Sequence, residues 1–325
     1  IYGYAKIPPI LPALPTKLPI ENYDRFEKHN LRKLLALGLG FNEITTYSFY
    51  SKTDFENCGL QEKGHIRIEN ALSEDQTHMR TSMIPNMLKK TYLNTKYEDS
   101  FKLFEIGRTY IDNSEYFPIE EKWIAGIVAT KEKGLKDIVF YEAKGAAEKI
   151  LEHLGIPAYK IVQGSEMPYA HPTKSATIFT YKGETLGRIF VIHPQVSKKN
   201  DLEKFAVAAF ELNLSTLFKT EKTTRKFKDL QKFPAIIIDV SVVVEKTKTL
   251  ADIEKEIKDS DKHLITNVEL FDIYQGENLG PDKKSVAFKI TLQAKDRTLT
   301  DLEMKETQRK IFENLQKQGG TIRGI

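Results

Sequence analysis

A chain of 325 residues is long enough for about two domains, each burying its own core, so a small staple-dependent scaffold is excluded. Hydrophobic residues make up 40% and charged residues 29%, the balance of a folded, soluble protein. The net charge is only +4 at pH 7 and is shared evenly either side of residue 220, so no domain is basic enough to coat nucleic acid non-specifically. The single cysteine, Cys58, rules out an internal disulfide and any cysteine-rich zinc site and fits a reducing, cytoplasmic setting. No apolar run reaches the length of a membrane span; the nearest, Ala235 to Val244, is broken by Asp239 and Ser241. The chain opens at Ile1 without an initiator Met or a leader pattern, as a piece cut from a longer polypeptide would.

Five prolines between residues 7 and 19 remove backbone donors and predict an extended strap over residues 1–20. Asn22 then caps a helix whose Tyr23, Phe26, Leu31, Leu34 and Leu37 recur at helical spacing until Gly38 and Gly40. Strands are predicted at 42–50, 101–111, 123–130, 175–181 and 186–192 from their β-branched and aromatic content. A second helix spans about 139–154, with Ala147, Ile150, Leu151 and Leu154 in one stripe. Residues 21–218 thus read as an α+β domain built mainly on antiparallel strands, and the basic stretch 219–232 as a linker. From 233 to 325 the pattern is strand 235–244, a helix from the Thr249 cap to about 258, strands 264–275 and 284–294, a helix from the capping box Thr300-Asp-Leu-Glu303 to about 317, and a short strand 320–324. That order, βαββαβ, is the ferredoxin-like split.

The seven histidines show no ligand spacing, so no metal site is predicted. His171 and His193 each precede proline and are expected at strand ends. The only Gly-x-Gly, Gly38 and Gly40, closes a helix rather than opening one, which removes support for a phosphate loop or dinucleotide fold. Ser82 and Ser175 lack a nucleophile-elbow context. No catalytic residue is predicted.

The segments Asn70-Ala-Leu-Ser-Glu-Asp-Gln-Thr-His-Met-Arg80 through Leu88 and Leu103-Phe-Glu-Ile-Gly-Arg-Thr-Tyr110 stand out, as do Tyr2-Gly-Tyr4, Phe233-Pro-Ala235, Leu270-Phe-Asp-Ile-Tyr274 and Arg297-Thr-Leu-Thr-Asp301. Together they closely resemble the β chains of the bacterial phenylalanyl-tRNA synthetase family, over essentially the whole chain. The resemblance implies the C-terminal part of such a chain: a class II synthetase-like domain that has lost activity, followed by a ferredoxin-fold anticodon-binding domain. It implies, as partners, the catalytic α subunit in an α2β2 heterotetramer and tRNA(Phe), with no membrane. ATP and Mg²⁺ would serve the whole enzyme, and no cofactor is expected in this part.

Class II adenylation uses one arginine on the ATP α-phosphate and a second, in a Gly-x-Gly-x-x-x-Arg helix start, on the γ-phosphate. Arg80 has the place of the first, but Ile44 stands where the second should be, and no arginine occurs between Arg108 and Arg188. Arg80, Glu105 and Arg108 are therefore expected to form ordinary salt bridges or interface hydrogen bonds rather than a catalytic site. The alternatives are a stand-alone class II-like ligase, which ATP turnover by this chain would reveal, and a regulatory amino-acid-binding module.

In the last domain both helices cover one side of the sheet. Period 2 assigns Ile236, Ile238, Val240, Val242, Val244, Phe271, Ile273, Val286, Phe288, Ile290 and Leu292 to the core. Asp239, Ser241, Asp272, Tyr274, Ser285, Ala287 and Lys289 fall on the uncovered side, a polar shelf with one large ring. A tyrosine offers a stacking surface to an unpaired base, and a carboxylate accepts from the N1 and N2 edge of guanine. The resemblance carries contacts with the first anticodon base, a guanine, onto Asp272, Tyr274 and Ser285. Lys283, Lys284, Lys289 and Arg323 are candidate phosphate partners.

Overall fold

The computed structural model describes residues 3–11, 19–113, 116–223, 227, 231–276, 279–280 and 282–323, the last by its backbone alone. Part of the predicted strap (residues 12–18) and of the predicted linker (224–226 and 228–230) lies outside the described residues. The chain divides into two compact units, Ile1–Arg225 and Lys226–Ile325.

Unit 1 contains strands β1 (Asn42–Glu43), β2 (Phe49–Tyr50), β3 (His78–Met79), β4 (Ser100–Ile111), β5 (Ile119–Thr130), β6 (Tyr159–Gln163), β7 (Ala170–Thr180), β8 (Thr185–Ile192) and β9 (Ala206–Asn213). Its helices are α1 (Tyr23–Lys33), α2 (Lys52–Asn57), α3 (Ile84–Asn94), α4 (Ile138–His153), α5 (Pro194–Lys199) and α6 (Leu214–Leu217). A seven-stranded sheet runs in the order β1-β4-β5-β9-β8-β7-β6, antiparallel except for the β1–β4 pair. One face carries α1 and α4 through Leu31, Leu35, Ala143, Ala147 and Ile150; the other packs on α3 through Met83, Ile84, Met87 and Leu88.

The strand predicted at 42–50 is two short strands in different sheets, because Ile44 to Ser48 leave the β4 edge to reach Arg80 and the β2–β3 pair. Helix α1 has the Asn22 cap, its Oδ1 accepting from Arg25 N at 3.0 Å, and continues into a wide π-type turn over Leu34–Gly38. His193 ends β8 and caps α5, its Nδ1 accepting from Gln195 N at 3.1 Å.

Unit 2 runs β10 (Ile236–Glu245), α7 (Leu250–Ser260), β11 (Ile265–Tyr274), β12 (Lys283–Leu292), α8 (Asp301–Lys317) and β13 (Thr321–Arg323). Its sheet order is β11-β12-β10-β13, antiparallel throughout. Thr249 and Thr300 cap their helices, the latter in a complete capping box with Glu303. Ile253, Ile257, Ile311 and Leu315 press on Val240, Val242, Val286, Phe288 and Ile290, which leaves the opposite face of the sheet without a helix among the described residues.

Two core assignments are corrected. A β-bulge between Leu270 and Asp272 inserts an extra residue opposite β12, and Phe271 is 52% exposed with Lys289 Nζ 5.8 Å from its ring centroid. Ile273 keeps its register opposite Val286, but on the edge strand it remains 41% exposed. Val268 is the β11 residue buried in the core, with Ile265 packed against it.

Candidate nucleic-acid interface

The register of unit 2 builds the uncovered face in rows. Glu269, Lys289 and Asp239 form one row across β11, β12 and β10; Asp272, Ala287 and Ser241 the next; Tyr274, Ser285 and Val243 a third. Opposed residues of neighbouring strands share a face, so Asp272 and Tyr274 stand two residues apart on the same side as Asp239 and Ser241. Tyr274 is 46% exposed, whereas Ser285 and Ala287 are buried as the floor between their neighbours. The hydroxyl end of the Tyr274 ring lies against Gly276, where any Cβ would collide with it. The shelf therefore bears two rings, Tyr274 and Phe271, instead of the single ring that strict alternation gives.

Lys283 and Lys289 are exposed on this face. Lys284 is not: it alternates to the helix side beside Val244, and its ammonium donates to the carbonyls of Lys248 (2.6 Å) and Lys246 (3.2 Å). Burial lowers its pKa accordingly. The expectation of a phosphate partner there is corrected, since the cation already serves the 246–248 turn. The backbone of Arg323 pairs opposite Ser241 in β13, and its side chain lies outside the described residues.

In unit 1 the residues with adenylation-like spacing are consumed by one another. Arg80 and Glu105 are both buried, Nη1 to Oε1 at 3.0 Å. Arg80 Nε also donates to Arg108 O at 2.7 Å and Nη1 to Thr46 Oγ1 at 2.8 Å, while Thr46 Oγ1 donates to Glu105 Oε2 at 2.7 Å. Arg108 pairs instead with Glu120 at 3.2 Å near the surface.

Sequence spacing gave no hint of a second buried cluster. Glu211 on β9 accepts from Tyr169 OH at 2.6 Å and from Ser82 Oγ at 3.0 Å. Burial pushes the Glu211 carboxyl above its ordinary 4.5. Burial, with the neighbouring carboxylate, pushes Tyr169 well above 10.0. A carboxyl raised on folding stabilises the native state below its unfolded pKa, and that contribution is lost as pH rises through the folded value. Glu211→Gln is therefore expected to flatten the decline of unit 1 stability above about pH 4.5. Urea midpoints at a series of pH values test this; an unchanged slope contradicts it. His65 and His78, thirteen positions apart in the sequence, come together around Phe55, with His65 stacked on that ring at 4.2 Å. Among the described residues no group of three or more His, Cys, Asp or Glu is placed to hold a metal. No helix among them is long and apolar enough to cross a membrane.

The seven-stranded sheet with its flanking helices has the fold of class II synthetases. It aligns with the pyrrolysyl-tRNA synthetase of Desulfitobacterium hafniense at a TM-score of 0.50 and 15% identity, over 60% of this chain and 68% of that one. Residues 7–214 match the family described as phenylalanyl tRNA synthetase beta chain CLM domain, and residues 231–323 match the ferredoxin-fold anticodon binding domain. The chain belongs to the phenylalanyl-tRNA synthetase β chain family. Its relatives include the phenylalanine–tRNA ligase β subunits of Staphylococcus haemolyticus, 32% identical over 99% of this chain and 41% of the relative, and of Listeria monocytogenes, 29% identical over 99% and 40%. The chain thus spans about 40% of the length of the curated relatives it matches.

Proposed function

We propose that this chain is the part of a phenylalanine–tRNA ligase β chain that holds the tRNA(Phe) anticodon on its second unit and docks the catalytic α subunit through its first. The proposed division is a strap (1–20), an inactive synthetase-like domain (21–218), a linker (219–232) and an anticodon-binding domain (233–325). In the α2β2 assembly, working in the cytoplasm, the α subunit would join phenylalanine to tRNA with ATP and Mg²⁺. The residues of unit 1 do not fit a nucleotide clamp of their own: the Arg80 guanidinium is held by Glu105, Thr46 and a backbone carbonyl, so it has no free fork for an α-phosphate. No step is assigned to ATP or Mg²⁺ here.

The observation that carries the reading is the uncovered shelf of Asp272, Tyr274, Ser285, Ser241 and Asp239 on a sheet whose other face carries α7 and α8. The Tyr274 ring stacks on the first anticodon base, Asp272 accepts from its Watson–Crick edge, and Ser285 lies beneath both. Lys283, Lys289 and Arg323 neutralise nearby phosphates. Titration of the chain with cognate tRNA and with a variant carrying a changed first anticodon base tests this; equal affinities refute it. Gly276→Ala is a finer probe. An added methyl forces the Tyr274 ring aside while leaving the helix-packed core untouched, so tRNA affinity is expected to fall about tenfold at an unchanged unfolding midpoint. Unaltered affinity would show that the present pose of the ring is immaterial.

A further inference from the structure

Helix α1 and the β4–β5 ribbon enclose a concave pocket of about 210 Å³ lined by Arg25, Lys28, Arg32, Arg108 and Lys122, with Ile106 and Gly107 between them. Arg25, Lys28 and Arg32 recur at helical spacing along one side of α1, and Arg108 and Lys122 face each other directly across the two strands. Like charges at both kinds of spacing repel, so folding works against this arrangement. It is not a by-product of composition, because the whole chain carries only +4.

Three carboxylates relieve part of the repulsion: Glu43 on Arg32 at 2.6 Å, Glu120 on Arg108 at 3.2 Å, and Asp24 on Lys122. Neither Arg25 nor Lys28 forms an ion pair among the described residues, although Asp24 also acts electrostatically on Lys28. Five cations against three carboxylates leave two positive charges in excess. Burial and then Lys122 lower the pKa of Lys28, Asp24 opposes them, and Arg108 and Arg32 add smaller lowering effects.

We propose that this pocket is a site for a phosphate group. Guanidinium and ammonium groups lining one concavity supply the donors that a tetrahedral oxyanion accepts from, and the excess of two charges matches its dianion. The volume lies below that of pockets for drug-sized ligands and suits one or two phosphate groups. The phosphate comes either from a free pyrophosphate-like anion or from an RNA backbone. The site stands on unit 1 and is independent of the anticodon-binding reading.

The test is calorimetric titration of the whole chain, at low salt, with pyrophosphate and separately with an RNA stem that has no anticodon loop. Arg25→Gln/Lys28→Gln is compared with wild type; Arg25 is exposed and Lys28 half-buried, so Arg25→Gln alone serves where the double variant folds poorly. Affinity for at least one of the two probes is expected to fall about tenfold or more. Loss confined to pyrophosphate assigns the free anion, and loss on the stem assigns a backbone phosphate. Equal affinity of variant and wild type for both probes, or equally tight wild-type binding of tetraglutamate, overturns the proposal.

Discussion

Tyr274→Ala lowers the affinity of the chain for cognate tRNA by roughly five- to 150-fold, the equivalent of losing about 1 to 3 kcal/mol of stacking on one base. The ring is half-exposed and lies on the side of the sheet that neither α7 nor α8 touches. Its removal opens no cavity in the cluster of Val240, Phe288, Ile311 and Leu315, so the unfolding midpoint of unit 2 should stay within the narrow range of ordinary surface substitutions. The separation of the two readouts is what the prediction stands on. A loss of affinity accompanied by a lower midpoint would mean that the ring supports the fold. Full affinity at full stability would remove the base-stacking role. With tRNA lacking its first anticodon base, wild type and variant should bind alike, because the partner of the ring is gone from both.

Legibility differed between the two units for identifiable reasons. In unit 2 each helix announces itself by a side-chain cap, Thr249 with Asp252 and Thr300 with Glu303, and both caps are formed. Alternation along β10 is unbroken from Ile236 to Val244, so its two faces were readable residue by residue. Phe271 departs from period 2 because a bulge has no compositional signature when the inserted residue is itself apolar. Asp272 and Tyr274 lie beyond the bulge, where alternation resumes, and so were assigned to the correct face. In unit 1 the central strand β9 is buried along nearly its whole length, and its Ala-Val-Ala-Ala-Phe run carries no period to read. Helix α3 begins Ile84-Pro85 with no side-chain cap, so its start carries no capping signal to read either. The Glu211–Tyr169–Ser82 cluster and the α1–β4–β5 pocket are assembled from distant segments, and only the sheet order brings them together.

Arg80→Ala destabilises unit 1 by about 3 to 5 kcal/mol, the usual consequence of removing one partner of a buried ion pair. The loss does not measure the strength of the attraction. Glu105 would remain 2% exposed with its Oε1 facing an apolar void, supported only by the Thr46 hydroxyl on its other oxygen. The carbonyl of Arg108 would lose its Arg80 donor as well. For a unit of this size the unfolding midpoint should drop by roughly 10 °C in calorimetry. Gly107 shows how tightly the site is built: a Cβ there would strike the Arg80 guanidinium, so β4 passes this point with only a hydrogen as its side chain. Arg80→Met with Glu105→Gln removes both charges at nearly constant volume and should recover most of the stability, since no uncompensated ion is left in the interior. If the double variant were as unstable as Arg80→Ala, the cost would lie in packing around Met83 and Gly107 rather than in a stranded carboxylate. If Arg80→Ala left the midpoint unchanged, Arg80 would not be a structural clasp, and the ground for denying it a nucleotide phosphate would be gone.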